Sequence, residues 1–92
     1  MNRVTVRIPG LLTRFTDGAR TSTVDASTVE DCVSALVDTY PALETHLFDG
    51  RGDLRSHIHL ICNGRRIEWP APTTISLDDG DEVVFLQAVS GG

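Results

Sequence analysis

The 92 residues suit one domain rather than two, and a chain of this size buries only about 60–65% of the surface its unfolded form exposes. Hydrophobic residues make up 40% and charged residues 23%, ordinary globular usage that excludes disorder and collagen-like repeats. A formal charge of −5 argues against nucleic acid and anionic membrane as partners, since both demand a basic face.

Residues 3–8 alternate polar and apolar, which predicts a strand burying Val4, Val6 and Ile8. Pro9-Gly10 ends it, and Asp17-Gly18 is a hairpin-type turn pair before a second, Thr-rich strand over 20–24. Ser27-Thr28-Val29-Glu30 fits a capping box, with Ser27 as N-cap. Val29, Cys32, Val33, Leu36, Val37 and Tyr40 then recur at helical spacing, so one amphipathic helix runs to Tyr40, where Pro41 stops it. A further short helical turn is expected within 41–48.

The segment 57–63 alternates again, with Ile58, Leu60 and Cys62 on one face and His57, His59, Ile61 and Asn63 on the other. Asn63-Gly64 is a strong hairpin signal, followed by a return strand over 65–69. After the acidic turn at Asp78, Asp79 and Asp81, a last strand is expected over 82–89. One helix with a single apolar stripe must cover one face of a mixed sheet. Its first and last strands share the centre only if they run parallel, which the helical crossover permits. The expected fold class is α+β, a β-grasp of four to five strands and one main helix, with residues 1–89 as the domain and 90–92 as a flexible tail.

All eight basic residues are Arg, so no Schiff-base lysine, P-loop lysine or acyl-accepting side-chain amine is present. Two cysteines are too few for a disulfide scaffold, a zinc site or a four-cysteine iron–sulfur cluster. Residues 1–10 lack the apolar stretch of a signal peptide, and the longest apolar run, 83–86, cannot cross a bilayer. A cytoplasmic chain with reduced thiols is expected.

The end of the sequence, Ser90-Gly91-Gly92, follows directly on a strand. Glycine lets a backbone approach a partner closely and enter a narrow channel, which leaves the α-carboxylate of Gly92 as the reactive group. A carboxylate becomes an electrophile only once activated, for example as an acyl-adenylate. The chain has no glycine-rich phosphate loop, so the activating site belongs to another protein. Asp79-Gly80-Asp81-Glu82-Val83 before an apolar strand, Ala88-Val89 and Gly91-Gly92 resemble the small sulfur carriers of the MoaD/ThiS/CysO type. Val4-Thr5-Val6-Arg7-Ile8-Pro9 and Ile58-His59-Leu60-Ile61-Cys62-Asn63-Gly64 resemble them too.

That resemblance implies a ubiquitin-like β-grasp fold. It implies that an E1-like enzyme adenylates Gly92 with ATP, and that the resulting thiocarboxylate gives sulfur to a downstream biosynthetic enzyme. The chain itself binds no cofactor or metal on this reading and acts as a carrier, not an enzyme. A ubiquitin-like modifier joined through Gly92 to lysines of target proteins is the alternative. A passive interaction domain with an incidental tail is a third.

The last strand carries apolar residues on both faces. With Val83 and Phe85 in the core, Val84, Leu86 and Ala88 face outward, and Ile61 joins them if the two strands are neighbours. Such a patch, leading to the tail, is a candidate docking surface, unless the 41–48 segment or a loop folds over it or the residues are ordinary scattered surface apolars. His57 and His59 share a face, as surface residues or as two metal ligands. Cys32 and Cys62 read as small core residues, with a sulfur-relay role as the alternative. Trp69 is expected to pack at the edge of the core. The acids at 78–82 are either a solvated turn or a patch steering an electropositive partner.

Overall fold

The computed structural model describes residues 2–71 and 75–88. Strands β1 (Asn2–Arg7) and β2 (Thr21–Ala26) pair antiparallel with Val4 opposite Val24. Between them Gly10–Phe15 forms a 3₁₀ segment, and Asp17 and Gly18 take φ of 56° and 84°. β2 begins one residue later than expected and runs two residues further, which carries Ala26 into the core.

Helix α1 (Val29–Thr39) buries Val29, Cys32, Val33 and Leu36, while Val37 and Tyr40 pack at the rim. Its N-cap is Thr28, not Ser27. The Thr28 hydroxyl accepts from the Asp31 amide at 3.1 Å, and the Ser27 carbonyl accepts instead from the Leu77 amide at 2.9 Å. The cap is therefore shifted by one residue, with Asp31 at the third helical position. Glu30 and Asp31 complement the positive end of the helix dipole. Tyr40 closes the helix by donating to the Leu36 carbonyl. Pro41–Leu43 then forms a 3₁₀ turn leading into α2 (Glu44–Leu47), which buries Leu43, Leu47 and Phe48.

β3 (Ile58–Cys62) turns through Asn63 and Gly64, both at positive φ, into β4 (Arg65–Ile67). β4 is shorter than the return strand expected over 65–69. Trp69 leaves the ladder and packs at the core edge, its ring 5.2 Å from that of Phe48. β5 (Glu82–Gln87) completes a five-stranded sheet in the order β2-β1-β5-β3-β4. β1 and β5 are parallel and all other pairs antiparallel. The first and last strands thus meet at the centre, as expected for a β-grasp.

The core lies between the inner face of the sheet and α1. Val4, Val6, Leu60, Val83 and Phe85 are at most 2% exposed. The turn before β5 is tied to β1 by its own acids and backbone. The Asp79 carboxylate accepts from the Arg3 amide at 2.8 Å, and Gly80, at φ 90°, donates to the Arg3 carbonyl. The Asp81 carboxylate accepts from the Asp78 amide. Two of the clustered carboxylates, Asp79 and Asp81, therefore hold the turn and tie it to β1. No helix among the described residues is long and apolar enough to cross a membrane.

Candidate functional site

The outer face of the sheet, away from α1, follows from strand register. Val84 is opposite Ile61 of β3 and level with Arg7 of β1; Ile61 is opposite Arg66, and Arg7 is opposite Thr21. One row therefore crosses all five strands, with the apolar pair Val84–Ile61 at its centre and an arginine on either side. Leu86 stands opposite His59 in the next row toward the end of β5. Leu86 is 50% exposed, while Ile61, Val84 and His59 are half-buried.

The expected orientation of β5 holds. Val83 and Phe85 point into the core, and Val84 and Leu86 point out. Neither the 41–48 segment nor a described loop buries the patch, because Leu43, Leu47 and Phe48 pack into the core with α1. Ala88 lies just past β5; it is exposed, and its amide donates to the His57 carbonyl at 2.8 Å. The ladder therefore holds the chain up to the root of the tail. Ser90, Gly91 and Gly92, the expected tail and acyl site, lie outside the described residues.

Arg7 and Arg66 flank the patch, and neither was singled out in the sequence. The available signal was that Arg7 alternates with the buried Val6 and Ile8, but Arg66 joins the row only through the β3–β4 register. Arg7 Nε donates to Glu82 Oε2 at 2.7 Å, the one ion pair among the described residues. Both partners are about half exposed, which limits the pair to a modest contribution. His59 is less exposed than a surface reading implies, and its Nδ1 is buried with no hydrogen-bond partner. His57 is exposed. Among the described residues no three His, Cys, Asp or Glu side chains converge as a metal site.

Both cysteines are buried, Cys32 under the helix and Cys62 on the inner face of β3. Burial, and secondarily the neighbouring Cys62 sulfur, pushes the Cys32 thiol up to about 12. Burial, then the Asp81 carboxylate, raises that of Cys62 as well. Neither thiol is a ready nucleophile, because the thiolate is the reactive form. This is the environment of core packing, not of a sulfur relay.

The described surface thus offers a patch that leads to the tail root, without an assembled acid–base or nucleophilic centre. The ThiS family model matches residues 6–92. Small archaeal modifier protein 1 of Haloferax volcanii is 38% identical over 78 residues, covering 82% of this chain and 85% of that protein. The sulfur carrier protein CysO of Mycobacterium tuberculosis is 29% identical over 91 residues, covering 97% and 98%. A crystal structure of the Haloferax modifier superposes with a TM-score of 0.80 at 33% identity, covering 99% of this chain and all of that one. A matching chain in the BexX/CysO complex of Amycolatopsis orientalis gives 0.81 at 25% identity, covering 97% and 99%. With its β-grasp topology and a match over nearly its whole length, the chain belongs to the ThiS family.

Proposed function

We propose that the protein is a sulfur carrier whose reactive group is the Gly92 carboxylate. The observation that carries this reading is the family match through residue 92, joined to CysO relatives that align over almost the whole chain. In the proposed cycle an E1-like partner in the cytoplasm holds ATP. The Gly92 carboxylate attacks the α-phosphorus, forming an acyl-adenylate and releasing pyrophosphate. A sulfide or persulfide sulfur then attacks the acyl carbon and AMP leaves. With a persulfide donor, a second thiol attacks the donor's sulfur in the acyl disulfide so formed, leaves joined to it as an ordinary disulfide, and frees the thiocarboxylate. The thiocarboxylate that results gives its sulfur to a biosynthetic acceptor.

In this cycle the chain contributes no catalytic side chain and binds no cofactor. Ile61, Val84, Leu86 and Ala88 are the proposed docking surface, and Ser90, Gly91 and Gly92 the arm that enters the partner's site. Incubation with an activating enzyme, ATP and a sulfur source is expected to replace one oxygen by sulfur in the intact mass. An unchanged mass with the enzymes able to adenylate related carriers would overturn the proposal.

The 38% identity to a small archaeal modifier supports a second reading, conjugation of Gly92 to lysines of other proteins. Recovery of target peptides bearing Gly92 in an isopeptide bond would establish it. The two readings share the adenylation step and differ in the nucleophile that follows.

A further inference from the structure

Activation changes what the neighbourhood of Gly92 must be. A free carboxylate tolerates amines and thiols, whereas an acyl-adenylate or thioester is consumed by the first strong nucleophile to reach it. A nucleophile on the same chain has the advantage of an effective concentration on the order of millimolar for a short tether. Self-acylation would join the Gly92 carbonyl carbon to a side-chain nitrogen or sulfur. It would break the bond to the AMP or thiol leaving group and release the nucleophile's proton.

Each amine or thiol of this chain that could keep the acyl group is missing, buried or remote. The exposed His57 imidazole could take it only as an acyl-imidazole, which water hydrolyses to the free acid. The 92 residues include no lysine. Cys32 and Cys62 are 0% and 6% exposed and lie on the helix side of the sheet. Burial raises both thiols, which disfavours the reactive thiolate further. Asn2, beside the α-amine of the 92-residue chain, lies at the other end of the sheet from Ala88. With Thr5 level with Glu82 in the parallel β1–β5 pair, the strand rise between Asn2 and Ala88 is about 30 Å. The residues after Ala88 reach at most about 14 Å even when fully extended. Serine and threonine hydroxyls remain, but they are weak nucleophiles without an adjacent base.

We infer that the fold withholds its own amines and thiols from an activated Gly92, so that the loaded chain does not acylate itself. Hydrolysis apart, its acyl group passes to a sulfur or amine nucleophile supplied by another molecule. The inference rests on the proposed activation of Gly92. It adds that persistence of the loaded state is a property of this chain, and not only of shielding by the partner.

The test makes the acyl group without any activating enzyme, so its failure is distinct from failure of the carrier reading. Release of the 92-residue chain from a carboxy-terminal intein fusion by a small thiol leaves a Gly92 thioester. After that thiol is removed, intact mass is followed at neutral pH. The folded wild type is expected to decay only by hydrolysis to the free acid. In concentrated guanidinium, which exposes Cys32 and Cys62, a cyclic thioester one water lighter than the acid is expected. The variant His57→Cys puts an exposed thiol beside the tail root, since the His57 carbonyl bonds the Ala88 amide. It is expected to form the lighter species while folded, at least about tenfold faster than wild type. The inference is overturned if folded wild type forms that species as fast as His57→Cys does. It is equally overturned if His57→Cys stays linear, since the placement of nucleophiles would then not be what protects the acyl group.

Discussion

Val84 of β5 and Ile61 of β3 face each other across the centre of the outer sheet, with Arg7 and Arg66 completing their row on either side. This places an apolar pair between two arginines on a protein of formal charge −5. Leu86, half exposed, extends the patch toward the tail root. Replacing Leu86 by Asp is expected to lower kcat/KM for adenylation by about tenfold or more, as for a central interface residue. The thermal midpoint should hardly move, because the side chain makes little of the core. A large loss of Tm with adenylation kinetics intact would contradict this assignment.

The opposite face of the same strand predicts the opposite pattern. Phe85 is 2% exposed and central to the core. Phe85→Ala is expected to cost about 3–5 kcal/mol, a large share of the stability a small domain has. Urea unfolding would show the lowered midpoint, and adenylation should fail only in proportion to the unfolded fraction.

The helix start gives a test that separates adjacent residues. The Thr28 hydroxyl caps the Asp31 amide, whereas Ser27 contributes its backbone carbonyl to Leu77. Thr28→Ala should therefore destabilise the fold by about 1 kcal/mol. Ser27→Ala should leave the denaturation midpoint within about 0.5 kcal/mol of wild type. Equal effects would contradict the placement of the cap.

The Arg7–Glu82 pair is 2.7 Å long but about half exposed on both sides. Its removal by Arg7→Ala is expected to cost no more than about 1 kcal/mol, and the difference should shrink at high salt. A salt-independent loss would indicate that the Arg7 stem, not its charge, supports the sheet.

The buried thiols set an alkaline limit. The unfolded chain releases a cysteine proton near the ordinary value of 9.0, while the folded chain holds that of Cys32 to about 12. The unfolded state therefore binds fewer protons in this window, and stability falls as pH rises. The thiol contribution is whole below pH 9 and lost as pH passes through about 12, with Cys62 acting in the same direction. Between those two values the slope from Cys32 is about 1.4 kcal/mol per pH unit. Urea midpoints taken from neutral to alkaline pH should show it, and the Cys32→Ala/Cys62→Ala variant should lose most of it.

Much of the fold was legible because local signals agreed with one another. The alternation of Val4, Val6 and Ile8, the helical stripe from Val29 to Leu36 and the Asn63-Gly64 turn each specify an element by period or by φ. The β-grasp order then follows from placing one apolar helix on one sheet face. What was not legible depends on competition between neighbours. Ser27 and Thr28 both suit an N-cap, and the choice fell to Thr28 because Leu77, distant in sequence, takes the Ser27 carbonyl. The return strand stops at Ile67 because Trp69 packs against Phe48 instead of continuing the ladder. Ile61, Val84 and Leu86 were identified from an apolar residue on each wrong face. Arg7 and Arg66 needed the lateral order of strands, which no local pattern contains.

β5 is paired on both edges, to β1 along one side and β3 along the other, and the Ala88 amide adds a last bond to His57. A partner that draws the chain end into a narrow channel pulls along the axis of this strand. The two ladders then resist in shear, sharing the load over many bonds instead of parting one at a time. The element under tension is also the one whose Val83 and Phe85 anchor the core. Force applied at the tail would thereby be spread into the core, which suits the arm that the proposed cycle needs.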